Sequence, residues 1–345
     1  MSHRMKWRVG RLTTTDDGHR AEGRSSAQIG RRSAPLRASV SPDARPRRRG
    51  VLAAIALGLV LVAGAACTVA RTSDGGGPSG AGASASVPPG GFADPGVVHV
   101  HGLGVDPADG TLYAATHTGL FSVPDQGKAV RVADRYQDTM GFTVTGPGTF
   151  LGSGHPDPRE DSPPLLGLIE STDGGRTWTS LSLRGETDFH ALHAAHGRIY
   201  GYDATSSTFM VSDDRRRWDR RATLPMRDFA VSPDQPDTLL ATTARGLARS
   251  SDGGRRWQQV DRVPALLVLA WADNGSLYGV GPDGTVQHSA DGGTTWTRRG
   301  AASGEPEAIT VDVRDGGETL YLAVRERGIL SSSDGGRSFT TRYTE

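Results

Sequence analysis

The chain has one cysteine, Cys67, among its 345 residues, so no disulfide can form within it. Long apolar runs are equally scarce. Residues 51–66 form a run of 16, short of the about 20 that a comfortable transmembrane helix needs. A strong charge of one sign is also missing, because the net charge is only +1. The sequence therefore excludes a disulfide scaffold and offers no strong overall charge that would attract a partner.

The small net charge conceals an uneven distribution. Residues 1–50 hold 13 Lys/Arg and four Asp/Glu, whereas residues 51–345 hold 26 and 34. The larger part is mildly acidic, which is the opposite of a nucleic-acid-binding surface, and we expect no nucleic-acid partner. Residues 1–50 lack apolar periodicity and are interpreted as a disordered basic leader or as the product of a start codon placed too early. A nucleic-acid-binding arm is the functional alternative for this segment.

A secretory signal is predicted at residues 51–67. Three arginines at 47–49 precede the apolar run and small residues end it, which is the usual order of an export signal. Residues 68–95 are rich in Gly, Ser, Ala and Pro and predict a flexible linker. We therefore expect the chain to be exported to the cell envelope.

Cys67 directly follows Gly64, Ala65 and Ala66, and this arrangement resembles a bacterial lipoprotein signal. The resemblance implies that Cys67 is lipidated and anchors the protein at the outer side of the cytoplasmic membrane. Gly64 stands where such signals usually have Leu, so two alternatives remain: cleavage nearby and secretion without a lipid, or retention of the segment itself as an anchor.

The remaining sequence is organised by a short turn that recurs five times. Good copies occupy residues 171–178, 250–257, 289–296 and 332–339, and a degenerate copy occupies 211–218. The shared aspartates, 40, 39, 39 and 43 residues apart, are Asp173, Asp213, Asp252, Asp291 and Asp334. A period near 40 indicates a repeat architecture. Ser and Asp oxygens of such a turn can accept backbone N–H groups, and its Gly pair can adopt positive φ.

This turn resembles the Asp-box, or bacterial neuraminidase repeat, whose form is S-x-D-x-G-x-[TS]-W. The resemblance implies a β-propeller in which the box is a hairpin on the rim of a blade, away from the active site. We therefore expect the box aspartates to be scaffold rather than metal ligands or catalysts.

Four strand-like segments precede or surround each turn, and six such units of about 42 residues fill residues 96–345. The prediction is an all-β, six-bladed β-propeller of four-stranded antiparallel blades, with the box hairpin between the third and fourth strands. The first unit holds a hidden copy of the turn, with Asp125 and Gly127 but no aromatic residue. A seventh blade made from terminal strands remains an alternative.

Superposing the six units brings scattered polar residues together at the start of the first strands, which line the channel of a propeller. The superposed residues are His101, Met140, His190, Arg227, Leu267 and Glu307. Two residues earlier, on the same side of the strand by the period of two, stand His99, Asp138 and Asp188. His117 and His155 end the second strands of the first two units. The predicted ligand-binding set is His99, His101, His117, Met140, His155, His190, Asp157 and Arg227.

Imidazole with thioether suits copper, and imidazole with carboxylate suits zinc. The candidate metal ligands are accordingly His101, His117, His155, His190 and Met140. Histidines that merely line a wet channel are the alternative. A proline-rich insertion at 154–164 lies on the same predicted face and is interpreted as a lid over a ligand or as a tolerated surface insertion.

Two functions follow. Asp-box propellers include sialidases, so the resemblance implies a glycoside hydrolase acting on envelope or extracellular glycans, with Asp138, Asp188 and Glu307 as the candidate carboxylates. Sialidases also carry an Arg-Ile-Pro motif, but here Arg198 and Ile199 precede Tyr200, and no arginine triad is evident. The preferred hypothesis is a binding propeller that recognises a small ligand, a metal, a glycan or an envelope protein through its histidine-rich face.

Overall fold

The structure is a computed structural model that describes residues 94–344. The predicted leader, signal segment, Cys67 and nearly all of the linker lie outside the described residues. Within residues 94–344 there is no helix long and apolar enough to cross a membrane.

Residues 94–344 form 24 strands in six antiparallel sheets of four. In blades 1 and 2 they are β1 Val100–Val105, β2 Leu112–Thr116, β3 Gly119–Val123, β4 Val130–Arg131, β5 Asp138–Gly146, β6 Thr149–His155, β7 Leu168–Ser171 and β8 Thr179–Ser182. In blades 3 and 4 they are β9 Phe189–Ala195, β10 Arg198–Asp203, β11 Thr208–Ser212, β12 Asp219–Thr223, β13 Asp228–Val231, β14 Leu239–Thr243, β15 Gly246–Ser250 and β16 Gln258–Gln259. In blades 5 and 6 they are β17 Val268–Trp271, β18 Leu277–Val280, β19 Thr285–Ser289, β20 Thr297–Ala301, β21 Pro306–Arg314, β22 Gly317–Val324, β23 Gly328–Ser332 and β24 Thr340–Tyr343.

Each blade takes its four strands consecutively from the chain, and the first strands lie side by side around a central channel. β21 of the last blade packs beside β1 of the first, which closes the ring. The six-bladed propeller is therefore confirmed. The described part of the chain leaves no strand over for a seventh blade.

The core lies between blades, which explains the apolar runs of the second and third strands. Neighbouring blades cover both faces of an inner strand. Its residues are therefore buried almost without interruption, as in β10 and β11, instead of alternating between buried and exposed as in a sheet with one face in solvent. Phe209 of blade 3 packs edge-to-face on Phe229 of blade 4 with ring centroids 5.2 Å apart, and both rings are fully buried. Burying a side chain of this size contributes about 1.5–3 kcal/mol.

The repeated turns join the third and fourth strands of their blades, as predicted. In the first good copy, Ser171 Oγ donates to Asp173 Oδ1 at 2.8 Å and accepts from Gly175 N at 2.8 Å. Thr177 N donates to Asp173 Oδ1 at 2.9 Å. The turns at Asp252, Asp291 and Asp334 repeat this network. Each aspartate thus holds its own hairpin.

The degenerate copy corrects the predicted alignment. Asp214, rather than Asp213, accepts Arg216 N at 2.9 Å and Arg217 N at 2.7 Å, while Asp213 pairs with Arg198. The turn is one residue shorter than the others, so the shared aspartate moves one place along the chain. In the hidden copy of blade 1, Asp125 pairs with Arg342 of blade 6.

Candidate functional site

A one-residue β-bulge recurs at the start of four first strands. In β1, Val100 is paired with Thr116 and Gly102 with Ala115, which leaves His101 without a partner residue. The pairing registers leave the equivalent residue unpaired in three further strands, at Met140, His190 and Glu307. A bulge bends its strand and re-aims the side chain that it carries. The superposed positions of blades 1, 2, 3 and 6 therefore share the same β-bulge as well as the same position in the repeat.

The end of the channel at which these bulges lie is here called the histidine mouth, defined by His99, His101, His117, Asp138, His155, Asp188, His190 and Glu307. Three of these residues are carboxylates. Asp138 and Asp188 each contact two histidines, and Glu307 contacts His99 and Arg325. The register predicted for blade 2 is confirmed, because Asp138 is paired with His155.

Asp138 lies between two histidines of blade 1. Its Oδ2 is 2.9 Å from His117 Nδ1, and its Oδ1 is 3.2 Å from His101 Nε2. The second pair is not aligned for a hydrogen bond, so His101 Nε2 and Asp138 Oδ1 are both buried without a hydrogen-bond partner. Burial lowers the pKa of His101 below its ordinary value, and the negative charge of Asp138 opposes that shift.

Asp188 lies between histidines of blades 2 and 3. Its Oδ2 is 2.8 Å from His190 Nε2 and 3.6 Å from His155 Nε2. Glu307 closes the ring, because its Oε1 is 2.8 Å from His99 Nδ1 and its Oε2 accepts Val100 N at 3.0 Å. These contacts tie blade 6 to blade 1.

The Asp138 cluster has the geometry of an ion-binding site. One donor atom each from His101, His117 and Asp138 lies within 4.8 Å of the others. Three protein ligands of this kind suit zinc or copper and leave a coordination position for a ligand or a water molecule. Met140 lies two residues after Asp138 on β5 and is half-buried.

Two other predicted ligand-binding residues have partners within the protein. Asp157 is buried and accepts Tyr136 N at 2.8 Å and three nitrogen atoms of Arg159, which hold its pKa well below the ordinary range. Its carboxylate shapes the insertion of blade 2. Arg227 reaches from blade 4 to blade 6, where its Nη2 donates to Pro306 O at 2.9 Å.

Sequence reasoning missed two titratable residues of the channel, His193 and Asp228. Both line the cavity that His101, His190 and Glu307 also line. Burial lowers the pKa of His193 to about 4 and raises that of Asp228 to about 6, although Asp228 accepts N–H groups from Phe229 and Leu269. His193 lies three residues after His190, and Asp228 lies one residue after Arg227. An odd separation places a residue on the other side of a regular strand, so the period of two did not group them with the site. The bulge at His190 shifts that period, and the inter-blade hydrogen bonds of Asp228 have no sequence signal.

Comparison with known proteins gives a partial likeness to glycan-cleaving enzymes. No family model matches the chain. A xyloglucanase of Hypocrea jecorina is 30% identical over 145 residues, which are 37% of this chain and 17% of that protein. A probable oligoxyloglucan-reducing end-specific xyloglucanase of Neosartorya fischeri is 26% identical over 223 residues, which are 52% of this chain and 27% of that protein. The chain thus spans about a quarter or less of the curated relatives it matches.

Among solved structures, a gluconolactonase of Xanthomonas campestris superposes with a TM-score of 0.53 at 16% identity, over 66% of this chain and 84% of that one. At this identity the likeness concerns the fold alone. The chain is a six-bladed β-propeller with sequence similarity to part of two xyloglucanases.

Proposed function

We propose that this protein is an exported propeller that binds a divalent transition-metal ion, zinc or copper, at the histidine mouth. The observation that carries the proposal is the convergence of His101, His117 and Asp138 on one point. His101 Nε2 and Asp138 Oδ1 lie there buried and without hydrogen-bond partners. Leaving such a group unpaired costs about 1–3 kcal/mol, and a cation between the two atoms offsets that cost.

The protonation of the cluster suits a metal. A metal binds the neutral form of imidazole, and burial shifts the pKa of His101 downward, toward that form at neutral pH. The side chain of His101 is only 9% exposed, whereas that of His117 is 61% exposed. The bound ion would therefore rest on a buried ligand and keep one side open to solvent, where a small ligand, a glycan hydroxyl or a donor from an envelope protein can coordinate.

The test is calorimetric titration of the purified, chelator-treated protein with zinc and with copper(II). We expect His101→Ala and His117→Ala each to weaken binding by more than about 100-fold, since removing a ligand costs more than removing a group that merely supports one. His196→Asn is the matched control, because His196 directly follows the end of β9 that is remote from His190 and has a φ of 52° that Asn tolerates. Equal affinities of wild type and His101→Ala would overturn the proposal.

A second candidate function, glycoside hydrolysis, is favoured by the similarity to xyloglucanases over 223 residues. Asp138, Asp188 and Glu307 would supply the required pair of carboxylates. Each of the three already contacts a histidine, an arrangement that suits ion binding at least as well as proton transfer to a leaving group. Turnover of xyloglucan oligosaccharides or fluorogenic sialosides by the full chain, lost in Asp138→Asn or Asp188→Asn, would make this the primary function.

Export and anchoring form part of the proposal and rest on residues 47–67. The basic segment, the apolar run and Cys67 support attachment of a lipid at Cys67. We expect metabolic labelling with a radioactive fatty acid to mark the wild type and to leave Cys67→Ser unlabelled. Labelling that is unchanged in Cys67→Ser would contradict the anchor, and the metal site would be unaffected by that result.

A further inference from the structure

We infer that the end of the channel remote from the histidine mouth is a second binding site, and that it takes a neutral mono- or disaccharide. No metal ion takes part in this binding, so the site is independent of the proposed function.

The channel consists of two chambers that meet at a ring of apolar side chains. The narrow chamber, which His101 and His190 line, has a volume of about 100 Å³. The wide chamber lies beyond it, where the first strands end, and has a volume of about 460 Å³. Both chambers are lined by five residues that lie two positions after superposed residues of the first strands: Leu103, Phe142, Leu192, Leu269 and Ile309. One position of the repeat therefore divides the channel.

Of the two chambers, only the wide one has the size of a small-molecule site. Such sites have volumes of about 300–1,000 Å³, and the narrow chamber is well below that range. A mono- or disaccharide therefore has room in the wide chamber alone. Its walls, between the apolar ring and the solvent, include Val105, Thr143, Val144, Ala194, Trp271 and Thr310.

Three polar groups of the wide chamber have no hydrogen-bond partner within residues 94–344. They are the hydroxyls of Thr143 and Thr310 and the indole N–H of Trp271. The tryptophans of the repeated turns differ, since Trp178 Nε1 donates to Gly175 O at 3.0 Å. Each of the three groups can donate a hydrogen bond, and the two hydroxyls can also accept one. The wide chamber therefore offers donors and acceptors that the protein itself does not use.

The rest of the wall is apolar. Val105, Val144 and Ala194 are half-buried, and so is the ring of Trp271. A sugar has both kinds of surface, because its C–H groups contact apolar and aromatic side chains and its hydroxyls donate and accept hydrogen bonds. A hydrocarbon would leave the three polar groups unpaired, at a cost in affinity.

The charges of the lining favour a neutral ligand. Asp312 is paired with Arg314, whose Nε is 2.8 Å from Oδ2 and 3.0 Å from Oδ1. His193, which lines both chambers, is neutral at physiological pH because burial lowers its pKa to about 4. The remaining carboxylate, Asp273, is exposed, so water and salt screen its charge. An anion finds no unpaired cation in this lining, and a cation finds only the screened carboxylate.

The test is saturation-transfer NMR of the full chain in chelator. The neutral probes are glucose, cellobiose and maltose, and the charged comparators are glucuronic acid and glucosamine. We expect at least one neutral sugar to bind with a Kd on the order of 1 mM or below, and both charged sugars to bind more weakly than that sugar.

Two variants locate the bound sugar. The double variant Thr143→Val, Thr310→Val removes both unpaired hydroxyls at nearly constant shape, and we expect it to weaken binding by about tenfold or more. Gly146 lines the wide chamber, and a Cβ there meets no atom within 4 Å. Gly146→Phe therefore fills part of the chamber and should weaken binding by at least as much.

The matched control is Thr179→Val, the same exchange at an exposed position of the outer strand β8. It should keep the affinity of wild type. Urea midpoints confirm that each variant is folded.

The outcomes separate this site from the metal site. Failure of every neutral sugar to bind, or wild-type affinity in both chamber variants, overturns the second site and leaves the proposed function standing. A charged sugar that binds more tightly than every neutral one overturns the class of ligand. Sugar binding that appears only after zinc is added overturns the second site and places the sugar on the metal ion. Sugar binding by a protein that takes up no zinc overturns the proposed function alone.

Discussion

The two ends of the blades use aspartate in opposite ways. In the four good copies of the repeated turn, here called the box turns, the shared aspartate faces N–H and hydroxyl donors of its own hairpin: Asp173 Oδ1 accepts Thr177 N, and its Oδ2 accepts Thr177 Oγ1 at 2.7 Å. In the histidine mouth, Asp138 and Asp188 each keep a buried oxygen with no hydrogen-bond partner.

The same difference is visible in the electrostatics. Hydrogen bonds from the backbone and the hydroxyl of Thr177 lower the pKa of Asp173 to about 2, and the turn at Asp291 shows the same value for the same reason. Those aspartates are fixed as anions by local donors. The mouth carboxylates instead face imidazoles, whose charge and ligands can change.

The comparison teaches how to separate scaffold from site when the residue type is the same. A satisfied aspartate close to its own donors stabilises a turn and has nothing left to bind. Burying a carboxylate with an unpartnered oxygen costs free energy of desolvation, and a bound ligand or ion that contacts this oxygen offsets that free energy.

The largest expected effect comes from filling a box glycine. Gly254 has a φ of 87°, and a Cβ there would lie 2.1 Å from Cε1 of the buried Phe209 ring. We expect Gly254→Ala to lower the free energy of unfolding by about 3–4 kcal/mol, from backbone strain and overpacking together.

Gly275 is the matched control, since its φ is 85° and no atom lies within 4 Å of its Cβ position. Gly275→Ala should lose only the strain of about 1–2 kcal/mol. Urea unfolding of both variants measures the difference. Equal losses would mean that the tight approach of the turn to blade 3 does not matter.

The next prediction compares a substitution at each end of the blades: the one in the mouth should affect zinc binding, and the one in a box turn should affect stability. Asp138→Asn is expected to weaken zinc binding by more than about 100-fold and to leave the urea midpoint in chelator unchanged or higher. Asp173→Asn is expected to lower that midpoint and to leave zinc affinity unchanged. If Asp173→Asn also lost zinc, the division into scaffold and site would be wrong.

The channel and the box turns should also contribute to the pH dependence of stability in different pH ranges. The pKa of His193 falls from its ordinary 6.5 to about 4 in the folded protein, so its contribution to stability is present above pH 6.5 and is lost as the pH falls toward 4, by at most about 3 kcal/mol. Asp228 acts in the opposite direction, because its pKa is raised from 3.8 to about 6 and its protonation stabilises the fold as the pH falls from 6 to 4. The box aspartates have lowered pKa values, so their contribution is present above about pH 4 and is lost between pH 4 and 2.

Urea midpoints between pH 8 and 2 test this order. The His193 loss should be visible in Asp228→Asn, which removes the opposing titration, and absent in the double variant Asp228→Asn, His193→Gln, whereas the loss below pH 4 should remain in both. A single loss below pH 4 in Asp228→Asn would contradict the assignment to His193.

The smallest effect concerns the degenerate turn. Asp214→Ala should lower the urea midpoint, since Asp214 accepts two backbone N–H groups, whereas Asp213→Ala should change it little, because Asp213 makes an exposed ion pair with Arg198. The reverse result would restore the alignment that the sequence suggested.

Much of the architecture was predictable because the repeat encodes it locally. Turn residues at a period near 40 and four apolar segments per unit predict six blades, and the register that pairs Asp138 with His155 follows from the same pattern. The alignment failed at Asp214, where a one-residue deletion in the turn moved the key aspartate.

The candidate site was predictable only in part. Superposition identified His101, Met140, His190 and Glu307, because the bulges that carry them occupy equivalent positions. It did not identify His193 and Asp228, since a bulge shifts the period of two and contacts between blades have no local signal. The division of the histidines among separate carboxylates depends on side-chain directions that no spacing encodes.

The most direct test of the central claim is an anomalous difference map at the zinc edge, from crystals of the protein grown with zinc. The account predicts a peak in the histidine mouth, bonded to His101, His117 and Asp138, and no peak at any box aspartate. A map with its peaks at Asp173, Asp252, Asp291 or Asp334, or with none in the mouth, would contradict it.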